Sequence, residues 1–311
     1  NISFINNSLS KANQYSILSK NKIKVPKTYQ CSLGQEKIFI EKSDDILNFS
    51  QKSYVLKPAD SQGSKGVYII NSKSELEIYL TNTFKESKIG LVLLQDFVEG
   101  REYSIDGLIS KGKFYPLVCG SKFHYINNQC IDERNTFIND VEEEILKKLI
   151  NETESAAISL GFQETLLHAE LIFCEDKNEA FVIEISPRGG GGSISSKIVP
   201  YITESNSNKF IIDTCLGEKN IILPSENIIF NQTKYVIMRF LPERLENFSQ
   251  ITIDNPINSE LIHLDVPFNG GEGTKVFDSR SRLGYWVIAN NNVSQLLEDE
   301  KCMLKSIKFL K

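Results

Sequence analysis

Two apolar runs, Leu166–Phe173 and Ala180–Ile185, are separated by the turn-forming stretch Glu175-Asp176-Lys177-Asn178. Runs of this length around such a turn read as a β-hairpin. Pairing symmetrically about Lys177 would set Glu170 directly across from Glu184, with Leu171, Phe173, Phe181, Ile183 and Ile185 around them. Directly opposed Cβ atoms lie roughly 4.5–5.5 Å apart, so two like charges there repel. The pair is tolerable on a solvated sheet face, or where a divalent cation sits between the carboxylates. Magnesium is the usual ion where carboxylates share a cation with phosphates. From the residues alone both readings stand.

The hairpin continues into Glu184-Ile185-Ser186-Pro187-Arg188 and then four glycines, Gly189–Gly192. With a side-chain period of two, an extended segment would aim Glu184, Ser186 and Arg188 to one side. An acid, a hydroxyl and a guanidinium then face one spot, and the guanidinium fork suits phosphate or carboxylate oxygens. An edge salt bridge before a flexible loop would give the same pattern. Earlier in the chain, Asp60-Ser61-Gln62-Gly63-Ser64-Lys65-Gly66 lies between the strand-like Tyr54–Lys57 and Val67–Ile70. Such a loop can offer N–H groups to phosphates, with Lys57 supplying charge. It is neither a Walker A loop nor a Rossmann fingerprint, and taken alone it reads as an ordinary hairpin loop. His168 shares a strand face with Glu170, whereas His124 and His263 are assigned no role.

Helix and strand signals alternate along the rest of the chain. Ser10 to Lys20 reads as a helix capped by Ser10, with Ala12, Tyr15 and Leu18 on one face, and Val25-Pro26 ends that segment. Ser72 to Phe84 reads as a second helix with overlapping capping boxes, Ser72…Glu75 and Ser74…Glu77. Gly90–Phe97 is a nearly continuous apolar strand, which implies burial on both faces. Tyr103–Ile109 is a further strand, and a long helix after Asp140 turns Val141, Ile145, Leu149 and Leu160 inward before stopping at Gly161. Beyond about Gly217 short strands and one last helix near Val293–Leu304 suggest a separate C-terminal subdomain.

Composition narrows the function classes. A net charge of −5 and a pI near 5.5 argue against broad nucleic-acid binding. No apolar run approaches the ~18–20 residues of a membrane span, and Asn1-Ile2-Ser3-Phe4 lacks a signal-peptide layout. Six scattered cysteines without a C-x-x-C pair read as reduced thiols. The expectation is a cytoplasmic α/β protein.

The order of these signals is more specific than any one of them. Lys11 opens a helix, Val55 to Gly66 forms a strand, lysine and glycine loop, and an apolar strand runs into Gln95-Asp96-Phe97-Val98-Glu99-Gly100-Arg101-Glu102. The pair Glu170 … Glu184-Ile185-Ser186-Pro187-Arg188 follows, and Arg282-Leu283-Gly284 lies near the end. From roughly Leu9 to Ile307 this resembles the ATP-grasp superfamily, and it is most similar to the L-amino-acid ligase and carbamoyl-phosphate-synthetase-like groups. The resemblance implies two α/β lobes with antiparallel sheets that sandwich ATP, plus a small C-terminal subdomain. The implied divisions are 1–24 (lead-in helix), 25–98 (small lobe), 99–217 (central lobe) and 218–311.

Carried over position by position, it implies that Lys11 and Lys57 contact the phosphates and that Ser61, Gly63, Ser64 and Gly66 form the loop folding over them. Gln95, Asp96, Phe97 and Val98 would form the adenine hinge and Glu102 would hold the ribose. Glu170, Glu184 and Ser186 would be metal ligands, for one or two Mg2+ with Mn2+ as an alternative, and Arg188 would stand near the transferred phosphoryl group, catalytic with Lys57. Ser186 replaces the usual asparagine, which puts a second magnesium in doubt. The implied activity is carboxylate–amine ligation through an acyl phosphate, with small-molecule acid and amine substrates and Arg282 or Arg239 holding a carboxylate. A nucleotide-binding module without turnover and an ATP-grasp kinase are the alternatives. Only about ten residues precede Lys11, where the resembling families carry a whole domain, so a homodimer or a missing N-terminal domain is expected.

Overall fold

The computed structural model describes residues 8, 10–126, 128–218, 220–253, 257–267, 269–273 and 275–311. The stretch Asn1–Phe4 and residue Leu9 lie outside the described residues.

The lead-in helix Lys11–Lys20 buries Ala12, Gln14, Tyr15 and Leu18, the expected face, although Ser10 makes no side-chain cap. The small lobe follows as β1 (Thr28–Ser32), the helix Glu36–Ile46, β2 (Tyr54–Pro58), β3 (Tyr68–Ile70), the helix Lys73–Lys85 and β4 (Leu91–Asp96). Its strands form an antiparallel sheet in the order β1-β4-β2-β3. The middle of β4 is buried on both faces. Val92 and Leu94 pack into the small-lobe core with Leu56 and Leu76, while Leu93 faces Ala12 and Tyr15 of the lead-in helix. Ser72 caps its helix by accepting from Glu75 N (3.2 Å), and the Glu75 carboxylate accepts from Asn71 N (2.6 Å). The capping box is therefore displaced by one residue, and Ser74 falls inside the helix.

The large lobe is built on one antiparallel sheet of β5 (Arg101–Ser110), β6 (Lys113–Tyr125), β7 (Asn128–Phe137), β8 (Thr165–Cys174), β9 (Glu179–Ser186), β10 (Tyr235–Phe240), β12 (Glu260–Asp265) and β13 (Tyr285–Asn290). Their order is β12-β13-β10-β7-β6-β5-β8-β9, and β11 (Gln250–Ile253) pairs separately with β14 (Ile307–Leu310). Of the strands after residue 217, β10, β12 and β13 thus extend the same sheet, with the helix Val293–Ser306 packed near them. On the side away from the small lobe, the helix Glu143–Ser159 covers the sheet, setting Leu146, Leu149, Ala156 and Ala157 against Ile105, Leu167, Ala169 and Leu171. Its end at Gly161 has φ +77, a conformation glycine adopts at little cost. Among the described residues no helix is long and apolar enough to cross a membrane.

The β8–β9 register differs from symmetric pairing about Lys177. Cys174 pairs with Glu179 and Leu171 with Val182, so the strands leave the turn one residue out of that register. A β-bulge then takes up Ile183, and beyond it Glu170 does face Glu184, Ala169 faces Ile185 and His168 faces Ser186.

Gly100 joins the hinge to β5 at φ +156, where an added Cβ would lie 2.1 Å from the Phe173 carbonyl oxygen. Gly100→Ala should therefore destabilise the fold by about 3 kcal/mol through strain and overpacking. A denaturant titration checks this, and an unchanged midpoint would contradict the tight approach of hinge and β8.

Candidate functional site

Between the lobes lies a cavity of about 360 Å³, walled by β2, β4 and the glycine loop on one side and by the open face of the large sheet on the other. Of the residues expected to bind nucleotide or metal, all but Gly66 and Ser186 line it. Gly66 packs behind the loop, where an added Cβ would stand 3.1 Å from the Glu86 side chain and 3.3 Å from Pro58.

The two lysines enter from the small-lobe side. Lys11 Nζ donates to the Ser61 carbonyl (2.6 Å) and lies 3.4 Å from Glu184 Oε2. Lys57 is buried and donates to the Tyr15 hydroxyl (2.8 Å), which in turn donates to the Ile183 carbonyl. Ile183, the residue at the bulge that brings Glu184 opposite Glu170, is thus also the one whose carbonyl receives Tyr15. Burial pulls the Lys57 ammonium down to about 8, against the opposing pull of Glu184 and Glu170. Burial raises the Tyr15 hydroxyl, which keeps it a donor.

The glycine loop is latched across the cleft. Ser64, at φ +57, donates its hydroxyl to the Cys130 carbonyl of β7 (2.6 Å), and Gly63 accepts from Ser279 N (3.0 Å). In the hinge, Asp96 N and Phe97 N donate to the carbonyls of Lys27 and Ser53, and Gln95 Nε2 donates to Thr28 Oγ1 (2.8 Å). Among the described residues no hydrogen bond engages Val98 N, and Val98 lines the cavity.

The sheet face carries a charged network centred on Lys122, a residue that sequence reasoning missed. Its Nζ lies 2.5 Å from Glu102 Oε1, 2.8 Å from Glu170 Oε1 and 3.6 Å from Asp132 Oδ1. Burial alone would lower this ammonium, yet Asp132, Glu102 and Glu170 hold it well above its usual range. Burial likewise disfavours the Glu170 carboxylate, but Lys122 and His168 hold it well below the usual carboxylate range. His124 Nε2 lies 3.0 Å from the second oxygen of Glu102, so this histidine, assigned no role from the sequence, sits at the edge of the charged network. His168 Nδ1 is 3.0 Å from Asp106 Oδ2, and Asp106 Oδ1 accepts from Gly190 N (2.9 Å). Although burial opposes its charge, Asp106 and Glu170 lift the His168 imidazolium to about 10. A Cβ on Gly190 would lie 2.5 Å from Asp106 Oδ1, so this member of the glycine run is required by close approach.

Two details depart from expectation. The extended alternation stops at Ser186, because Arg188 N donates to the Ser186 carbonyl (2.9 Å) and closes a tight turn around Pro187. Arg188 nonetheless lines the cavity, and it donates to the Gly189 carbonyl (2.9 Å). Arg239 points to the opposite sheet face from Met238, pairing with Glu133 and with Glu300 (3.5 Å). Arg282 is the arginine of the two that lines the cavity; its guanidinium lies 3.5 Å from the Phe240 ring centroid and donates to the Asp132 carbonyl (3.0 Å). Lys122 had one legible signal, a lone lysine within the largely apolar Leu117–Tyr125.

The donor set fits a magnesium ion shared with phosphates. Mg2+ is commonly held by one or two carboxylates, its other positions going to phosphate oxygens and water, and Glu170 and Glu184 are two acids in direct register at the cavity wall. Among the described residues no group of three or more His, Cys, Asp or Glu could hold a metal ion by itself.

Opposed lysines and carboxylates beneath a glycine loop, between two antiparallel sheets, define a phosphate-binding cleft of the ATP-grasp kind. The chain belongs to this family: the ATP-grasp domain model matches residues 9–192. Its sequence relatives include the carbamoyl phosphate synthase large chain of Clostridium botulinum, 22% identical over 298 residues. That match spans 83% of this chain and 27% of the relative. The same protein from Clostridium perfringens is 27% identical over 53% of this chain and 15% of its own length. The chain thus spans about a quarter or less of these curated relatives. Among solved structures, L-amino acid ligase from Bacillus licheniformis superposes with a TM-score of 0.78 at 18% identity, over 99% of this chain and 73% of that one. The biotin carboxylase domain of Hydrogenobacter thermophilus 2-oxoglutarate carboxylase, solved with MgADP, ADP and bicarbonate, gives 0.73 at 17% identity, over 98% and 67%. At these identities the structural likeness is one of fold.

Lys57 is charged below about pH 8 and neutral above it, and a polyanionic triphosphate selects the charged form. ATP affinity should therefore fall as pH rises through about 8, with proton uptake on binding. A charge-assisted hydrogen bond is worth about 1.5–3 kcal/mol, so Lys57→Ala should weaken ATP about ten- to a hundredfold at pH 7 and flatten that pH dependence. Calorimetric titration across pH 7 to 9.5 checks both outcomes, and unchanged affinity in a folded variant would remove Lys57 from the site.

Proposed function

We propose that this chain is an ATP- and Mg2+-dependent carboxylate–amine ligase, which forms an amide or peptide bond through an acyl phosphate and releases ADP and phosphate. The observation that carries this reading is the meeting of Lys11 and Lys57 from the small-lobe side with Glu170 and Glu184 from the large sheet across one cavity. A charged triphosphate needs cations on one side and a metal-holding acid pair on the other, and the cleft supplies both.

In this reading the Gln95–Val98 hinge receives the adenine, Glu102 the ribose, and Lys11, Lys57 and the Ser61–Gly66 loop the phosphates. Magnesium bound at Glu170 and Glu184 would neutralise charge on the phosphates. Arg188 faces the γ-phosphoryl group as it passes to the substrate carboxylate, and Arg282 offers a fixed guanidinium to a carboxylate. The amine nitrogen then attacks the acyl carbon, the C–O bond to phosphate breaks, and phosphate leaves. No protein nucleophile takes part, so catalysis rests on positioning and on charge placed where charge develops. The glycine loop, tied to Ser279 and Cys130 on the far side of the cleft, supports this reading because it already lies across the cavity where the phosphates would sit.

ADP release measured over a panel of carboxylic acids paired with amines, with product masses, tests the proposal. The expected product weighs the acid plus the amine less one water, with one ADP per product. An absence of ADP for every pair would overturn it, and so would a phosphorylated acid that accumulates whether or not amine is present. In the same assay Glu184→Gln should abolish turnover. Its stability without ligand should change by less than about 1 kcal/mol, since relief from Glu170 offsets the lost Lys11 pair. A large fall in the thermal midpoint would assign Glu184 a structural role instead.

A further inference from the structure

Among the described residues four lysines line the cavity, and three of them already face a carboxylate. Lys11 lies 3.4 Å from Glu184, Lys65 3.8 Å from Glu86 and Lys122 2.8 Å from Glu170. Lys57 is the exception. It is 6% exposed, and among the described residues its one side-chain hydrogen bond goes to a neutral group, the Tyr15 hydroxyl, at 2.8 Å. An ammonium only donates, so that hydroxyl must accept, and its single proton is left for the Ile183 carbonyl. Donor and acceptor are both engaged, which fixes the direction of the hydroxyl. The ring that carries it is buried against Ala12, Ala59 and Leu93.

We propose that Tyr15 is a positioning residue for nucleotide binding, which holds the Lys57 ammonium at the cavity wall on a neutral acceptor and ties it, through the Ile183 carbonyl, to the strand that carries Glu184. This rests on Lys57 meeting the phosphates. A phosphate can recruit Lys57 without breaking an ion pair, whereas it must compete with Glu184 for Lys11. The hydroxyl takes one of the three ammonium protons and leaves two for phosphate oxygens. It also sets a separation. Tyr15 of the lead-in helix joins β2 of the small lobe to the residue beside Glu184 on β9, so cation and acid are placed relative to each other before a nucleotide arrives. Burial works against the charge on Lys57, while Glu184 on β9, Glu170 on β8, Cys130 on β7 and Glu102 on β5 support it. Lys11 stands near the hydroxyl on the lead-in helix. Removing the hydroxyl would take away the acceptor in direct contact and disfavour the charged form further.

Calorimetric titration of the full chain with a non-hydrolysable ATP analogue and Mg2+, set beside adenosine, separates the phosphate end of the site from the base and sugar. Tyr15→Phe keeps the ring and removes the hydroxyl. It should weaken the analogue by about tenfold at pH 7 and leave adenosine unchanged. It should also move the fall in analogue affinity to lower pH, since the charged Lys57 has lost its acceptor. Added to Lys57→Ala it should cost nothing further, because a residue that acts through Lys57 has no effect once Lys57 is gone. Analogue affinity unchanged by Tyr15→Phe but weakened by Lys57→Ala would overturn the inference and leave Lys57 at the phosphates. So would additive losses in the double variant, an equal loss for adenosine, or a Tyr15→Phe chain that circular dichroism shows unfolded, each of which gives Tyr15 a structural role alone. Analogue affinity unchanged in a folded Lys57→Ala chain would remove the Lys57 assignment and the inference together.

Discussion

The open face of the large sheet depends on one ammonium. Strands β5, β6, β7 and β8 could cover that face with apolar side chains, as they do on the face beneath the helix Glu143–Ser159. They instead present Glu102, Lys122, Asp132 and Glu170. Buried charges are tolerated only when paired and hydrogen-bonded, and Lys122 supplies the pairing for acids on three different strands. Such an arrangement contributes little to stability relative to an apolar core. What it does is tie Glu102 on β5 to Glu170 on β8 through one shared ammonium.

The second constraint is the bulge at Ile183. Two features of the cleft meet at it. Beyond it Glu184 comes level with Glu170, and at it the Ile183 carbonyl accepts from Tyr15. Tyr15 belongs to the lead-in helix and receives Lys57 from β2 of the small lobe. One residue added to an edge strand thus aligns the acid pair and connects both lobes through the lysine expected on the phosphates. Bulges at sheet edges beside functional sites commonly re-aim groups in this way.

The lobes meet again at the glycine loop, whose contacts reach Cys130 and Ser279, residues far apart in the chain. Ser279 lies beside Arg282, which donates to the Ser279 carbonyl (2.9 Å) and to that of Asp132 (3.0 Å). Loop, C-terminal turn and sheet network are therefore joined by one continuous run of contacts, from Gly63 through Ser279 and Arg282 to Asp132 and Lys122.

Much of the site was legible in the sequence because its parts are local. The strand–loop–strand around Gly63, the hinge after Leu94 and the acids of β8 and β9 are each set by short-range periodicity and turn chemistry, and their order along the chain identified the fold. What the sequence could not decide lies in long-range pairing. Strands β6 and β7 went unread because polar residues among them, Lys122, Asp132 and Asn135, line the cavity instead of following a plain alternation of apolar and solvent-facing positions. Symmetric pairing about Lys177 reached the correct partners for Glu170 only because a bulge, invisible to residue counting, restored the register. Of Arg239 and Arg282, only the second lines the cavity, because Arg239 lies on the far face of β10 while Arg282 sits in the turn before β13. These are properties of the assembled sheet: a side chain's partners are set by strand order and register, and both arise from contacts between segments tens to hundreds of residues apart.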